Sequence, residues 1–303
     1  MIDFVGNKQW FFLISAILIF IGIISLAVFG IRPGTDFAGG TSMTLEFSPA
    51  VEQSQLREEM ARLGYDKASI QNAGDGDFII HVGEITSGEA RELAEKLGTA
   101  LGSQVKISDY YLASPRVGAE TARNAGIAVI IAAVAMLFYI VWAFRRMPKP
   151  FRWGTCAIIA LIHDVFIIVG IFSLLGWVAG VEIDAMFITG LLAVVGYSIN
   201  NTVVIFDRIR ENVAKQISPD LATTVNSSIV ETLGRSLNTS LTTLFVILAL
   251  FLFGGATIHY FVLVLLLGVI IGTYSSICIS GQLLVVWERR EWKALIPFAK
   301  RAA

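Results

Sequence analysis

Two neighbouring ionisable residues, His163 and Asp164, lie inside a long apolar stretch of the sequence. They fall about eleven residues into that stretch, near mid-membrane if it crosses a bilayer as a helix. An ionised side chain at that depth costs at least ~2.5–3.5 kcal/mol, so each residue needs a partner or a function. We expect Asp164 either to exchange protons, to anchor a functional polar network, or to be a structural carboxylic acid that never titrates. His163 can be satisfied as a neutral imidazole without moving protons.

A second polar group follows in the next apolar stretch. Ser198, Asn201 and Thr202 are spaced at i, i+3 and i+4, so a helix carries them on one face. The apolar stretch after that is preceded by Arg235 and opens with many Ser and Thr residues. Small polar residues also favour close helix contacts in any membrane bundle. Arg235 either points inward to this polar seam or extends to the headgroups, and the sequence leaves both open.

Several function classes are disfavoured by what the sequence lacks. It contains no HExxH, nucleophile elbow, P-loop or paired catalytic carboxylates, so a hydrolase is not expected. Cys156 and Cys278 lie in apolar runs and the three histidines are scattered, so no disulfide, metal site or cofactor is expected. A net charge of −1 provides no field that would recruit nucleic acid.

The elements that must position these residues are apolar stretches of membrane-spanning length. The sequence is 55% hydrophobic and only 16% charged, which is typical of a protein whose solvent is lipid. A spanning helix needs about 20 apolar residues. Six stretches qualify: Trp10–Ile31, Asn124–Phe144, Trp153–Val178, Ala185–Phe206, Leu237–Phe253 and Tyr260–Val286. The first has no small-residue cleavage site and is interpreted as a retained anchor.

Basic residues indicate which loops face the cytoplasm. The link Arg145–Arg152 holds four basic residues and no acidic one, whereas the charged residues of the loop Val178–Asp184 are acidic. With an even number of spans, both termini are predicted to be cytoplasmic. The predicted organisation is 1–31 for the N-terminus and first span, 32–121 for an extracytoplasmic domain, 122–287 for five further spans with a cytoplasmic linker at 207–235, and 288–303 for a cytoplasmic tail.

The insert between the first two spans has the patterns of a small α+β domain. Strands are predicted at Thr41–Ser48, Ala68–Asn72, Asp77–Gly83 and Gln104–Leu112, and helices at Val51–Leu63 and Ser87–Leu101, the second capped by Ser87. This βαββαβ order is that of the ferredoxin-like fold. The segment 32–120 carries 14 acidic and 8 basic residues, which disfavours binding to anionic headgroups or nucleic acid. Its surface either meets a polypeptide or only solvates the domain.

The linker after the fourth span begins with charged residues, namely Asp207, Arg208, Arg210 and Glu211. They open an amphipathic segment, and Ser218–Pro219 is predicted to start a second helix in cap and first-turn positions. Both segments are interpreted as interfacial helices.

The segment Gly34–Gly40, GTDFAGG, lies just outside the first span. Its paired glycines lack the strand, lysine and helix of a phosphate-binding loop, and a chain reversal explains them better. The segment resembles the GxDFxGG motif of the SecD/SecF family, with Gly34, Asp36, Phe37, Gly39 and Gly40 at the motif positions. The stretches ALIHDV at 160–165 and GYSINNTVVIFDRIREN at 196–212 agree with the same family. Together with the six-span layout, the resemblance covers essentially the whole chain.

This resemblance implies a SecF-type subunit of the RND superfamily that pairs with SecD beside the SecYEG channel, with YajC as a further component. Such complexes lie in the bacterial cytoplasmic (inner) membrane. Their external domains change position and help draw an emerging polypeptide outward, driven by the proton-motive force after ATP-driven motor action. The family's polar membrane residues correspond to Asp164, the position of Asn201, and Arg235.

One residue departs from the family pattern, which has an aspartate at the position of Asn201. An amide forms hydrogen bonds but does not exchange a proton near neutral pH. Three explanations follow, in this order: SecD supplies the titrating carboxylate, Asp164 takes over, or proton coupling is weakened.

The alternative function is a passive scaffold that stabilises SecD and SecYEG without carrying protons. A small-molecule RND exporter is disfavoured because one insert of this size is too small for a typical drug-binding portion.

Overall fold

A computed structural model describes residues 2–74 and 76–292 of the chain. Six of its helical segments are long and apolar enough to cross a membrane, which confirms the predicted number and a multi-pass membrane protein. The helices are α1 Lys8–Phe29, α2 Thr35–Ala38, α3 Gln53–Arg62, α4 Ser87–Leu101, α5 Pro115–Ala143, α6 Pro150–Ala179, α7 Ala185–Ala214, α8 Leu221–Phe253, α9 Ala256–Ser275 and α10 Gly281–Arg289. Residues 293–303 of the predicted cytoplasmic tail lie outside the described residues.

The small domain between the first two spans has the predicted βαββαβ order. Its strands are β1 Gly40–Ser48, β2 Ser69–Gly74, β3 Asp77–Val82 and β4 Gln104–Ala113, paired antiparallel in the order β2-β3-β1-β4. Helices α3 and α4 cover one face and bury Leu56 and Leu97 against Leu45 and Ile80. Alternation along β3 puts His81 on the opposite face of the sheet. We call this unit the βαββαβ domain.

The predicted cap of α4 is wrong by one residue. Thr86, not Ser87, is the N-cap: its hydroxyl accepts a hydrogen bond from the backbone N–H of Glu89, whose carboxylate accepts in return from the Thr86 N–H at 2.7 Å. This reciprocal arrangement is a capping box, and it satisfies two backbone donors that the first helical turn leaves free.

The membrane bundle has α6, α7 and the α9–α10 helix at its centre, with α1, α5 and α8 around them. Helices α1 and α6 approach closely where Gly22 faces Gly170. The bundle end next to the βαββαβ domain is called the domain end, and the other is called the far end. At the far end the rings of Phe144 and Trp153 stack, and Phe206 packs edge-on against both.

The segment between α9 and α10, Ser276–Ser280, is a π-helical turn. Such wide turns are rare and are frequent at functional sites. All five residues of the segment are buried, and the helix continues from it into α10 at Gly281. Gly281 lies against Val225 and Ile229 of α8, where a Cβ would be 3.3 Å from Val225 Cγ1.

The prediction of two interfacial helices in the 207–235 linker is wrong. Helix α7 continues without interruption to Ala214, α8 starts at Leu221, and only Lys215–Asp220 connects them. The cap of α8 is Asp220 rather than Ser218, because its carboxylate accepts from the N–H groups of Ala222 and Thr223. The amphipathic pattern arises because the apolar side of each extension is buried within the protein, as with the fully buried Val225 on α8.

Candidate functional site

Asp164 is fully buried in the middle of α6, and both of its carboxyl oxygens have partners. Oδ1 lies 2.9 Å from Nδ1 of His163, while Oδ2 accepts hydrogen bonds from Ser198 Oγ at 2.6 Å and Ser275 Oγ at 2.7 Å. These partners come from α6, α7 and α9. Hydroxyl groups both donate and accept, so this shell is able to solvate the carboxyl group in either protonation state.

His163 extends this network to α1. Its Nε2 lies 2.9 Å from Ser15 Oγ, and Ser15 Oγ is 3.3 Å from the hydroxyl of Tyr274, which donates to the carbonyl of Phe11. Both ring nitrogens of His163 therefore have partners. An imidazole bonded in this way is able to take up a proton on one nitrogen and release it from the other. The line Asp164–His163–Ser15–Tyr274 thus joins α6, α1 and α9.

Thr202 is buried one turn beyond Ser198 and lies 3.0 Å from Ser276 Oγ, at the start of the π segment. Ser276 also donates to the carbonyl of Gly272 at 2.7 Å. Consecutive serines, Ser275 and Ser276, therefore bond to Asp164 and Thr202 respectively. We call the residues Ser15, His163, Asp164, Ser198, Thr202, Tyr274, Ser275 and Ser276 the Asp164 network.

Asn201 is also buried, but it belongs to a different cluster. Its Nδ2 lies 3.4 Å from Ser240 Oγ, which is also within hydrogen-bond distance of Tyr197 Oη at 3.0 Å and Thr273 Oγ1 at 2.7 Å. The three polar residues of span four do share a buried face, as predicted, yet they contact three different partners. Asn201 makes no hydrogen bond to Asp164 in the part of the chain that the structure describes.

The structure does not bring Arg235 to this site. Its side chain is exposed on α8, and within residues 2–74 and 76–292 it makes no hydrogen bond or ion pair. Asn238, Thr239 and Thr242 are exposed on the same helix. Of the two orientations that the sequence leaves open, the inward one is therefore not found within this chain.

Sequence reasoning missed four members of the Asp164 network, namely Ser15, Tyr274, Ser275 and Ser276, because they lie on helices other than α6 and α7. The few polar residues in these apolar spans are also explained by helix packing. The adjacent pair Ser275–Ser276 at the centre of a span is the signal that could have drawn attention.

The Gly34–Gly40 segment forms the joint between the bundle and the βαββαβ domain. The carboxylate of Asp36 accepts from the N–H of Ala185 at 3.0 Å, so it ties α2 to the start of α7. Gly39 has φ of +77°, and a Cβ there would lie 2.7 Å from the backbone of Pro115. Gly40 has φ of +119°, and a Cβ there would lie 2.5 Å from the Val82 carbonyl oxygen. Only glycine fits both positions.

Phe37 and Asp184 complete this joint. Phe37 packs against the apolar cluster of the domain end. Asp184 caps α7 through a hydrogen bond from the Phe187 N–H at 2.7 Å. Burial raises the pKa of Asp184, and the hydrogen bond from Phe187 opposes that shift.

At the far end, the predicted charged residues of α7 form ion pairs with one another and with α8. Asp207 pairs with Arg210, and Arg208 pairs with both Glu211 and Glu231. These groups are largely exposed, so each pair contributes little stability by itself. Within residues 2–74 and 76–292, no three His, Cys, Asp or Glu side chains are grouped closely enough to hold a metal ion.

Two family descriptions match this chain. The family described as "Protein export membrane protein SecD/SecF, C-terminal" matches residues 93–290, and the "SecD/SecF GG Motif" matches residues 24–51. Protein translocase subunit SecF of Thermobaculum terrenum is 42% identical over 96% of both chains, and that of Anaerolinea thermophila is 38% identical over 97% of this chain and 96% of its own.

A longer relative and a solved structure agree. Protein translocase subunit SecDF of Bacillus subtilis is 34% identical, but this chain spans only 39% of its length. The crystal structure of SecDF from Thermus thermophilus, a translocon-associated membrane protein, matches 95% of this chain and 39% of its own, with a TM-score of 0.84 and 34% identity. The chain therefore belongs to the SecD/SecF family of protein export membrane proteins.

Proposed function

We propose that this chain is a SecF-type, non-enzymatic subunit of the Sec export machinery that works with SecD and uses the proton-motive force to promote translocation of polypeptides. The observation that carries the proton part of this proposal is Asp164, a fully buried carboxyl with three side-chain partners. The export part is supported by the named relatives.

Proton exchange at Asp164 would change contacts among three elements of the bundle. An ionised Asp164 accepts from Ser198 and Ser275, whereas a protonated Asp164 must itself donate one hydrogen bond. A proton on Oδ1 is donated to Nδ1 of a neutral His163, whereas a proton on Oδ2 forces the hydroxyl of Ser198 or Ser275 to turn and find a new acceptor. The neighbouring π turn offers a helix segment with an alternative backbone hydrogen-bonding pattern. We infer that this turn accommodates the rearrangement.

Asn201 limits what this chain does alone. Its amide does not titrate near neutral pH. Another group must therefore titrate in its place, and we propose three explanations in order of preference. SecD supplies the titrating carboxylate, Asp164 takes over, or proton coupling is weakened. Asn201 and Asp164 have separate partners, which supports treating a carboxylate introduced at position 201 as a site distinct from Asp164. If proton coupling runs through the polar face of Ser198, Asn201 and Thr202, Asn201→Asp should raise proton-dependent export in reconstituted vesicles. Unchanged export would refute coupling through this face.

Exposed polar side chains on α8 indicate where this chain contacts SecD. Arg235, Asn238, Thr239 and Thr242 are exposed on a helix of membrane-spanning length, where contact with lipid is costly. We infer that SecD covers this face of α8.

We place both termini in the cytoplasm of a bacterial cell, and the protein in its cytoplasmic (inner) membrane, because the basic link Arg145–Arg152 lies at the far end. The βαββαβ domain would then face outward and meet the emerging polypeptide, with SecYEG and YajC beside it.

A passive scaffold is the second candidate function. It is favoured by the amide at Asn201 and by the distance of Arg235 from the Asp164 network. In this case the buried carboxyl only ties helices together.

Export by the assembled machinery in sealed vesicles separates the two functions. The parent, Asp164→Asn and the control Asp207→Asn, at an exposed far-end position, are compared with and without a proton gradient. The proposal expects Asp164→Asn to lose the gradient-stimulated part of export and Asp207→Asn to keep it. Equal stimulation in all three refutes proton coupling through Asp164 and leaves the scaffold.

A further inference from the structure

A histidine and a carboxyl group face each other where the βαββαβ domain meets the bundle. Nδ1 of His81, on β3, lies 3.7 Å from Oε2 of Glu182, in the connection between α6 and α7. That separation is too long for a hydrogen bond. Both atoms are inaccessible to solvent, and within residues 2–74 and 76–292 neither forms a hydrogen bond. Two buried polar atoms that face each other without a bond between them need an explanation.

The charged groups around this pair come from every neighbouring element. Arg32 follows α1, Asp184 shares the loop with Glu182, and Asp36 lies on α2. Strand β2 contributes the hydroxyl of Ser69. Helix α9, which packs against β2, carries His259 and Tyr260 near its start, and neither forms an ion pair with Glu182 in the described part of the chain. Burial raises the pKa of Glu182, and the positive charge of His81 opposes that shift.

A single proton added to this pair would satisfy both atoms. If it resides on the imidazole, a cationic N–H donates to the carboxylate, and if it resides on the carboxyl group, O–H donates to the ring nitrogen. When the pair loses that proton, a neutral imidazole with hydrogen on Nδ1 is still able to donate. The carboxylate of Glu182 has then lost its strongest countercharge, and only Ser69 and Arg32 still offset part of its desolvation.

We propose that His81 and Glu182 form a proton-operated latch that holds the sheet of the βαββαβ domain against the membrane bundle. It is the only ion pair between that sheet and the bundle among the residues described. The other ties at this junction run through the 32–38 segment, as in the hydrogen bond from the Gly34 N–H to the Ile183 carbonyl. Acid closes the latch, because the closed state binds the shared proton more tightly, and rising pH releases it.

The latch is tested separately from proton exchange at Asp164. Its residues lie at the domain end, and its opening is measured as a distance rather than as export. Spin labels at Ala100→Cys, on α4, and Val178→Cys, at the end of α6, report the separation of domain and bundle in the full chain. The protein is held in nanodiscs of phosphatidylethanolamine and phosphatidylglycerol. Double electron–electron resonance is recorded at about pH 5.5 and about pH 8.5, on either side of the range in which histidine changes charge.

We expect the ratio of the close to the more distant population to fall about tenfold between the two pH values, because the closed pair binds the shared proton more tightly. His81→Gln and Glu182→Gln should each abolish this response, while His259→Gln, a histidine of the same domain end, should retain it. A parent distribution that is the same at both pH values overturns the latch. So does an unchanged response in both His81→Gln and Glu182→Gln.

Discussion

The crossing of α1 and α6 permits one prediction to be worked out from geometry. A Cβ added to Gly170 would lie 2.6 Å from Cα of Gly22, whereas a Cβ added to Gly22 would lie 3.5 Å from Cα of Gly170. Carbon atoms in close-packed protein rest at about 3.5–4.0 Å. Gly170→Ala must therefore separate the helix backbones by about 1 Å, while Gly22→Ala fits without movement.

The same crossing carries two hydrogen bonds that a separation would lengthen. Ser25 donates to Ser173 at 2.9 Å, and His163 Nε2 lies 2.9 Å from Ser15 Oγ. An added 1 Å or so takes both beyond hydrogen-bond range. We expect Gly170→Ala to reduce the free energy of unfolding by about 1–3 kcal/mol, the usual cost of overpacking.

Unfolding of the full chain in lipid nanodiscs, followed by intrinsic tryptophan fluorescence, tests this. Gly22→Ala is the matched control and should stay within about 0.5 kcal/mol of the parent. Gly170→Ala should also weaken gradient-stimulated export if His163 takes part in it. Equal stability of both variants, or greater damage from Gly22→Ala, would refute the described crossing.

Two further predictions concern helix ends and acid. Thr86→Ala should cost about 1 kcal/mol and speed amide exchange in the first turn of α4, while Ser87→Ala should not. The bonds from Thr86 lower the pKa of Glu89, so the protection is present at neutral pH and is lost as pH falls through the acidic range, which pH-dependent exchange would measure. Asp220, with its pKa lowered to about 2 chiefly by Arg289, should hold α8 to α10 until strong acid. Asp220→Ala removes both this cap and the pairing with Arg289, so it should speed exchange at residues 221–224 already at neutral pH, and an unchanged rate would contradict this.

Local patterns in the sequence were sufficient for the spans and for the small domain. Long apolar stretches and strict alternation determine burial directly, so strands such as Thr41–Ser48 were placed within a residue of their observed ends. The errors arose where charged residues flank a helix. The far-end halves of α7 and α8 have polar outer faces, and only tertiary packing distinguishes a helix extended out of the bundle from one lying on a membrane surface.

The candidate site was predictable only in part. Asp164 and Ser198 could be singled out because a polar group in an apolar span is costly. Their connection to Ser15 and Tyr274 depends on how α1 and α9 dock against α6, which no local pattern encodes. Arg235 was grouped with Asp164 by family resemblance, yet its side chain points away from the bundle centre in this chain.

The π turn at Ser276–Ser280 also fixes the angular phase of the helix that follows it. Each residue of an α-helix advances the side-chain direction by about 100°, so a wide turn resets that direction by roughly the angle of one residue. Ser275 consequently faces Asp164 while Gly281 faces α8. Removing any one residue from 276–280 would restore α-helical winding. The side chains of α10 would then be rotated, and Gly281 would no longer face Val225. The number of residues in this helical segment is therefore constrained, because it sets the rotation of α10 relative to α9.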